Sequence, residues 1–195
     1  MREKKPTSVL ISGLGISGLI TAALLCKEKI KVECFEPSNL SKFPEDQRTT
    51  AFLKPAIGVF KEIGVWEKLE PISQPLKEME IIDAGNSKIG EIASVVFEPK
   101  EINIEYFGYN IPNNILRSEL LDWLKKNKNF FLHMGDSIVD HYAFDDNILI
   151  KTANGKKLEG ELLISCEGKD SPIRKREKIN TVEASYNQLA MVFQV

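Results

Sequence analysis

The chain has 195 residues, 43% of them hydrophobic and 28% charged, with 26 Lys plus Arg against 28 Asp plus Glu. That balance excludes a disordered chain, and a net charge of -2 excludes the basic character of a general nucleic-acid binder. Three cysteines, Cys26, Cys34 and Cys166, form no C-x-x-C pair, and only His133 and His141 offer imidazoles, so neither a disulfide scaffold nor a metal centre is expected.

Residues 6 to 26 carry no charge, a length that could span a bilayer. Gly13, Gly15 and Gly18 interrupt it, however, and a strand, a turn and a helix account for it better. Neither a signal peptide nor a membrane anchor is expected. Thr7 to Ser12 reads as a buried strand. Ile16, Leu19, Ile20, Ala23, Leu24 and Lys27 then fall at helical intervals, and Lys31 to Glu36 returns to strand character before Pro37. Strand, helix and strand within about thirty residues make a β-α-β unit.

Pro55 and Gly64 mark the first turn and the cap of a second helix, followed by a turn over Trp66 to Leu69. Residues 76 to 83 and 88 to 97 read as a hairpin around Gly85-Asn86. Asn114 to Lys126 reads as a helix with Ile115, Leu116, Leu120, Leu121 and Leu124 on its apolar side. Strands are expected near 129 to 143, 147 to 152 and 158 to 165, with a turn at Asn154-Gly155, and again over 182 to 195. An apolar last strand predicts sheet supplied by further sequence or by another chain, against the alternative of an ordinary edge strand.

The chemistry concentrates in two segments. Gly13-Leu14-Gly15-Ile16-Ser17-Gly18 is G-x-G-x-x-G between a strand and a helix. Gly13 permits the tight turn, Gly15 lets a pyrophosphate approach, and Gly18 lets helix and strand pack closely. The amides of Ile16 and Ser17 at the helix N-terminus suit the phosphates. Glu36, eighteen residues past Gly18, ends the second strand, where a carboxylate can accept from ribose hydroxyls. These residues point to an adenine dinucleotide and leave NAD and FAD open.

The second segment is Leu162-Leu163-Ile164-Ser165-Cys166-Glu167-Gly168-Lys169-Asp170-Ser171-Pro172-Ile173-Arg174. It resembles the apolar-run, G-A-D-G, x-x-S-x-[VI]-R fingerprint of flavoprotein aromatic hydroxylases, with Ser165-Cys166 for Gly-Ala and Glu167 for Asp. Asp46-Gln47-Arg48-Thr49-Thr50-Ala51, Pro55, Ile63-Gly64-Val65-Trp66, Met79-Glu80-Ile81-Ile82-Asp83 and Phe107-Gly108-Tyr109-Asn110-Ile111-Pro112-Asn113 follow the same order as in the ubiquinone-biosynthesis hydroxylases. The resemblance covers nearly the whole chain and the first half of such an enzyme. The family's later Gly-Asp flavin motif has no counterpart here.

The resemblance implies an α/β, Rossmann-like FAD-binding domain over 1–72 and 112–180, with a discontinuous, incomplete β-sheet substrate domain over 73–111 and 181–195. It implies FAD as cofactor, NAD(P)H as electron donor and hydroxylation of a polyprenyl-phenol ring. Beside Gly13, Gly15, Ile16, Ser17, Gly18 and Glu36, it implies cofactor-binding roles for Arg48 and Arg117 near the phosphates or flavin. It implies the same for Val139 at the adenine, through its backbone, and for Glu167 and Gly168. No catalytic side chain is expected, because the cofactor carries the chemistry.

Two alternatives stay open: a truncated or split, non-catalytic FAD-binding fragment, and an NAD-dependent Rossmann oxidoreductase. The expected partners are a prenylated phenol and either a second-half chain or a second copy, and no nucleic acid. The expected location is cytoplasmic, or peripheral at the inner face of the membrane. Arg174-Lys175-Arg176 and Lys178 read as a solvated basic face, or as a docking surface for a protein or an anionic membrane.

Overall fold

The computed structural model describes residues 8–38, 46, 48–83 and 93–191. In chain order these form β1 (Ser8–Ser12), α1 (Ile16–Lys27), β2 (Lys31–Glu36), β3 (Thr49–Leu53), α2 (Lys54–Ile63), α3 (Trp66–Leu69), β4 (Gln74–Pro75), β5 (Met79–Asp83), β6 (Ala93–Phe97) and β7 (Gly108–Pro112). There follow α4 (Asn113–Lys125), β8 (Phe130–Met134), β9 (Ile138–Ala143), β10 (Ile148–Thr152), β11 (Lys157–Gly160), β12 (Leu162–Ser165) and α5 (Pro172–Arg176). The chain divides into two compact units, Met1–Arg48 with Leu120–Val195, and Thr49–Glu119, so the division falls within α4.

The first unit is built on a four-stranded sheet in the order β12-β1-β2-β8, with every neighbouring pair parallel. β1 is buried along its whole length (SVLIS), as expected of a parallel strand covered on both faces. A second sheet, β11-β10-β9, is antiparallel. Leu10, Phe35, Ile138, Ile150 and Ile173 form a continuous apolar core that joins both sheets to α5. α1 buries Leu19, Ala22, Ala23 and Cys26. Ile20 and Leu24, expected on its apolar side, are only half-buried. The helix is apolar nearly all round, so spacing alone does not choose its inner face.

Two expected strands each divide at a glycine. The 129–143 run breaks at Gly135, which adopts φ +69°, in the left-handed region that favours glycine. The 158–165 run changes sheets after Gly160. β11 ends antiparallel to β10, and β12 then runs parallel to β1. A Cβ on Gly160 would lie 2.7 Å from Leu10 Cγ, so only glycine lets the chain cross that closely. The Asn154-Gly155 turn forms as expected, with Gly155 at φ +80°.

In the second unit β3-β7-β4 form an antiparallel sheet, and β5 pairs with β6 from Met79 opposite Phe97 to Asp83 opposite Ala93. The expected Gly85-Asn86 turn between them lies outside the described residues. α2 starts with Pro55 in its first turn and ends on Gly64 at φ +89°, as its sequence predicts. Ile57, Phe60 and Ile63 form its buried side.

Of the strand expected over 182 to 195, the described residues, 182 to 191, form neither strand nor helix; residues 192 to 195 lie outside the described residues. Val182, Leu189 and Met191 are exposed. β-propensity reports fit to a neighbouring strand, and among the described residues this segment has none. No helix among the described residues is long and apolar enough to cross a membrane.

Candidate functional site

β1 delivers the chain to a turn whose three glycines have different reasons to be glycine. Gly13 adopts φ +94°, its N–H donates to the Phe35 carbonyl at 2.9 Å, and a Cβ there would lie 2.5 Å from the Cys166 carbonyl oxygen. A Cβ on Gly18 would lie 2.1 Å from the Gly13 carbonyl oxygen. The fold itself therefore demands both. Gly15 is different. It precedes α1 in extended geometry, at φ -67° and ψ -179°, and a Cβ there would have nothing within 4 Å. No side chain caps α1, and its first turn holds no acidic residue. The first amides of a helix have no intrahelical partner, so this end can receive an anion.

Glu36 closes β2 beside that turn. Its Oε2 accepts from the Leu14 N–H at 2.8 Å. Its Oε1 accepts from the Ser38 N–H at 3.0 Å and from the Ser38 hydroxyl at 2.6 Å. A carboxylate has about four lone-pair sites, so acceptor capacity remains. Around these groups opens a cavity of about 760 Å³. Its walls are the glycine turn from Ser12 to Gly15, Glu36 with Pro37, the start of β9, the turn after β12, and α5. This volume falls within the range that holds a small-molecule cofactor.

The turn after β12 is organised by Glu167. Its Oε1 accepts from the Ser12 hydroxyl at 2.7 Å. Its Oε2 accepts from Ser171 Oγ at 2.5 Å, from the Ile173 N–H at 3.1 Å and from Ser165 Oγ at 3.1 Å. Burial opposes the charge, but these bonds together hold the Glu167 carboxyl below its ordinary value. The longer side chain is thus spent within the protein, tying β1, β12 and α5 together.

A carboxylate whose pKa is lowered on folding contributes stability that is fully present above its unfolded value. That contribution is lost as the pH falls through the folded value. The stability difference between the parent and Glu167→Gln should therefore be full at neutral pH. It should shrink on acidification from about 4.5 downwards, which urea unfolding of both proteins at a series of pH values would measure. A difference independent of pH would mean that the charge of Glu167 does not hold the turn.

Of the residues expected to contact a cofactor, Gly13, Gly15, Glu36, Val139, Glu167 and Gly168 line this one cavity. Ile16, Ser17 and Gly18 lie in the first turn of α1, behind its wall. Val139 has no partner in the ladder, because Asp140 pairs with Lys151 and Ile138 with Thr152. It is the extra residue of a β-bulge, a device that bends a strand locally. Arg48 is not in the wall. It is 71% exposed, and its guanidinium pairs with both oxygens of Asp46, at 2.7 and 2.9 Å. Arg117 lies half-buried on α4, within the second unit.

Sequence reading missed Ser12, Ser165 and Ser171 as a donor set for Glu167. A serine at the end of a strand carries no distinctive signal. In the basic cluster, read as a solvated face or a docking surface, Lys175, Arg176 and Lys178 are exposed; Arg174 is half-buried and donates to the carbonyls of Gly168 and Lys169, and Arg176 also lines the cavity wall. Among the described residues no three His, Cys, Asp or Glu side chains are grouped to hold a metal ion.

Known proteins are similar to this chain in sequence and in fold. Similar chains include the 3-demethoxyubiquinol 3-hydroxylase of Escherichia coli K12, 24% identical over 98% of this chain and 49% of that protein. Another is the ubiquinone biosynthesis monooxygenase COQ6 of Dictyostelium discoideum, 26% identical over 85% of this chain and 35% of that protein. The chain therefore spans a third to a half of the curated relatives it matches. The solved structure of p-nitrophenol 4-monooxygenase PnpA from Pseudomonas putida DLL-E4 superposes with a TM-score of 0.70 at 18% identity, over 86% of this chain and 42% of that one. PqsL of Pseudomonas aeruginosa gives 0.71 at 22%, over 91% of this chain and 46% of that one. Both share the mixed α/β fold described above. The profile of one family, described as FAD binding domain, matches residues 6–195, and the chain belongs to that family.

Proposed function

We propose that this chain binds FAD in the cavity beneath the glycine turn, and that the site serves ring hydroxylation of a polyprenyl phenol in ubiquinone biosynthesis. The observation that carries the FAD site is Gly15. It needs no glycine for its own backbone, and the space its Cβ would fill opens beside an uncapped helix end. A pyrophosphate fits that space chemically, with Ile16, Ser17 and Gly18 supplying amides and Glu36 accepting from the ribose. Glu167 holds the facing turn in place, and Gly168 lends its backbone. When bound, FAD supplies the redox chemistry that activates oxygen. The protein supplies position and shelter from water.

The substrate class rests on the relatives named above, one named as a 3-demethoxyubiquinol 3-hydroxylase and the other as a ubiquinone biosynthesis monooxygenase. The rest of the reading is proposed with it: NAD(P)H as donor, residues 73–111 and 181–195 as a partial substrate domain, and Arg48 and Arg117 turned to the cofactor once it is bound. It also includes a cytoplasmic site at the inner membrane face, where a polyprenyl substrate resides, and assembly with a second chain or a second copy.

Cys166 provides the test. It lines the cavity and is half-buried, whereas Cys26 and Cys34 are buried. Burial pushes its thiol up, only partly offset by a hydrogen bond with Thr21, so labelling is best done at mildly alkaline pH. FAD should protect Cys166 from a maleimide, and should do so at lower concentration than NAD. Protection by NAD alone would assign the site to a nicotinamide cofactor. No protection by either would remove the dinucleotide reading.

A further inference from the structure

Arg176 stands in the cavity wall, and neither the glycine turn nor the acidic turn gives it a task. It is the last residue of α5. Its Nη2 donates to the Val139 carbonyl, and its Nη1 lies 3.1 Å from Asp140 Oδ1. One guanidinium therefore holds both the bulged residue of β9 and the residue after it. A second tie joins the same strand to the same helix end: His141 Nε2 lies 2.6 Å from Glu177 Oε1. Ile138 and Val139 line one wall of the cavity, and Pro172 and Ile173 line another. The Gly135 N–H donates to the Glu36 carbonyl at 2.8 Å, which fixes the turn before β9 to the end of β2. The bulge thus belongs to the Glu36 side of the cavity, where on the FAD reading the acid would receive a ribose and an apolar wall would suit a base.

We propose that Arg176 is a positioning residue for the adenine end of the FAD site, setting the gap between β9 and α5 by holding Val139 and Asp140 in one planar fork. This inference rests on the FAD reading above. Arginine suits the task because its donors are fixed in a plane and meet two acceptors at once. A lysine ammonium keeps the charge but not the fork. Nothing in this role requires contact with the phosphates.

The experiment compares dissociation constants for FAD, ADP and inorganic pyrophosphate in the parent, R176A, R176K and D140N, with thermal unfolding as a check on each fold. R176A and R176K should both weaken FAD and ADP about tenfold, the scale of a lost charge-assisted hydrogen bond, and leave pyrophosphate unchanged. D140N should reproduce part of that loss although Asp140 is outside the cavity wall, and combining it with R176A should add little. If R176A fails to fold, D140N and R176K carry the comparison. Loss of pyrophosphate affinity that lysine restores would make Arg176 a phosphate-binding charge and overturn the proposal. ADP affinity unchanged in every variant would overturn it too. A parent that binds neither FAD nor ADP would bring down the FAD reading, and this inference with it.

Discussion

Gly18→Ala should destabilise the protein by about 3 kcal/mol, although alanine normally favours a helix interior over glycine by about 1 kcal/mol. The added Cβ would lie 2.1 Å from the Gly13 carbonyl oxygen and 3.4 Å from Cys166 Cβ. The near atom is backbone, so no rotamer change relieves the contact. Gly13 cannot yield either. Its φ of +94° already requires glycine, its N–H is bonded to Phe35, and its own Cβ position meets the Cys166 carbonyl. That carbonyl belongs to a turn tied to β1 by the Cys166 N–H, which donates to the Ser12 carbonyl at 2.7 Å. One methyl group thus presses on three segments that hold one another in place. A loss of about 3 kcal/mol is a large share of the stability of an ordinary domain. Urea denaturation should show the midpoint falling well below that of the parent, and Gly15→Ala, which meets nothing within 4 Å, should stay close to it. If Gly18→Ala unfolds at the parent's midpoint, the close approach of α1 to the turn is wrong.

The same contrast explains what the sequence made legible. The β1–α1–β2 unit could be read because an apolar run, a glycine spacing and a terminal acid each have a local cause. Pro55 and Gly64 could bracket α2 for the same reason: one fixes φ, and the other adopts φ +89°. The buried face of α1 could not be read, since that helix is apolar nearly all round and the sheet beneath decides which side is covered. Nor could the breaks at Gly135 and Gly160, which depend on where a second sheet lies. The absence of a strand over residues 182 to 191 has the same origin, because pairing needs a neighbour as well as propensity.

At the site, the glycine turn and Glu36 could be found because their spacing reflects one local unit. Arg48 illustrates the limit. A sequence resemblance gives it a ligand, whereas the chain gives it a carboxylate two residues away, which its guanidinium holds with two hydrogen bonds. An arginine fork takes whichever carboxylate or phosphate geometry is at hand. Arg176 illustrates the converse. In sequence it is one of several basic residues on a short helix, and only β9, far earlier in the chain, gives it its partners at Val139 and Asp140. Side chains that bridge distant segments leave no local pattern to read.

Gly15→Val separates binding from folding. Gly15 lies before α1 with φ -67° and ψ -179°, an extended geometry that valine adopts readily. Its Cβ would have open space around it, so the variant should fold with a thermal midpoint near that of the parent. Gly15 also lines the cavity, however, and a branched side chain there would occupy the place proposed for the pyrophosphate. It would also stand between that group and the uncapped amides of α1, which act only at close range. Losing those hydrogen bonds and adding a steric clash should weaken FAD roughly a hundredfold or more, about 3 kcal/mol. ADP should weaken by a similar factor, because it carries the same pyrophosphate. Riboflavin, which has none, should bind as it does to the parent, however weakly. Calorimetric titration of the two proteins with the three ligands would measure this, with circular dichroism confirming the fold. A folded Gly15→Val protein that binds FAD as tightly as the parent would show that the phosphates lie elsewhere. The uncapped end of α1 would then have no part in holding the cofactor.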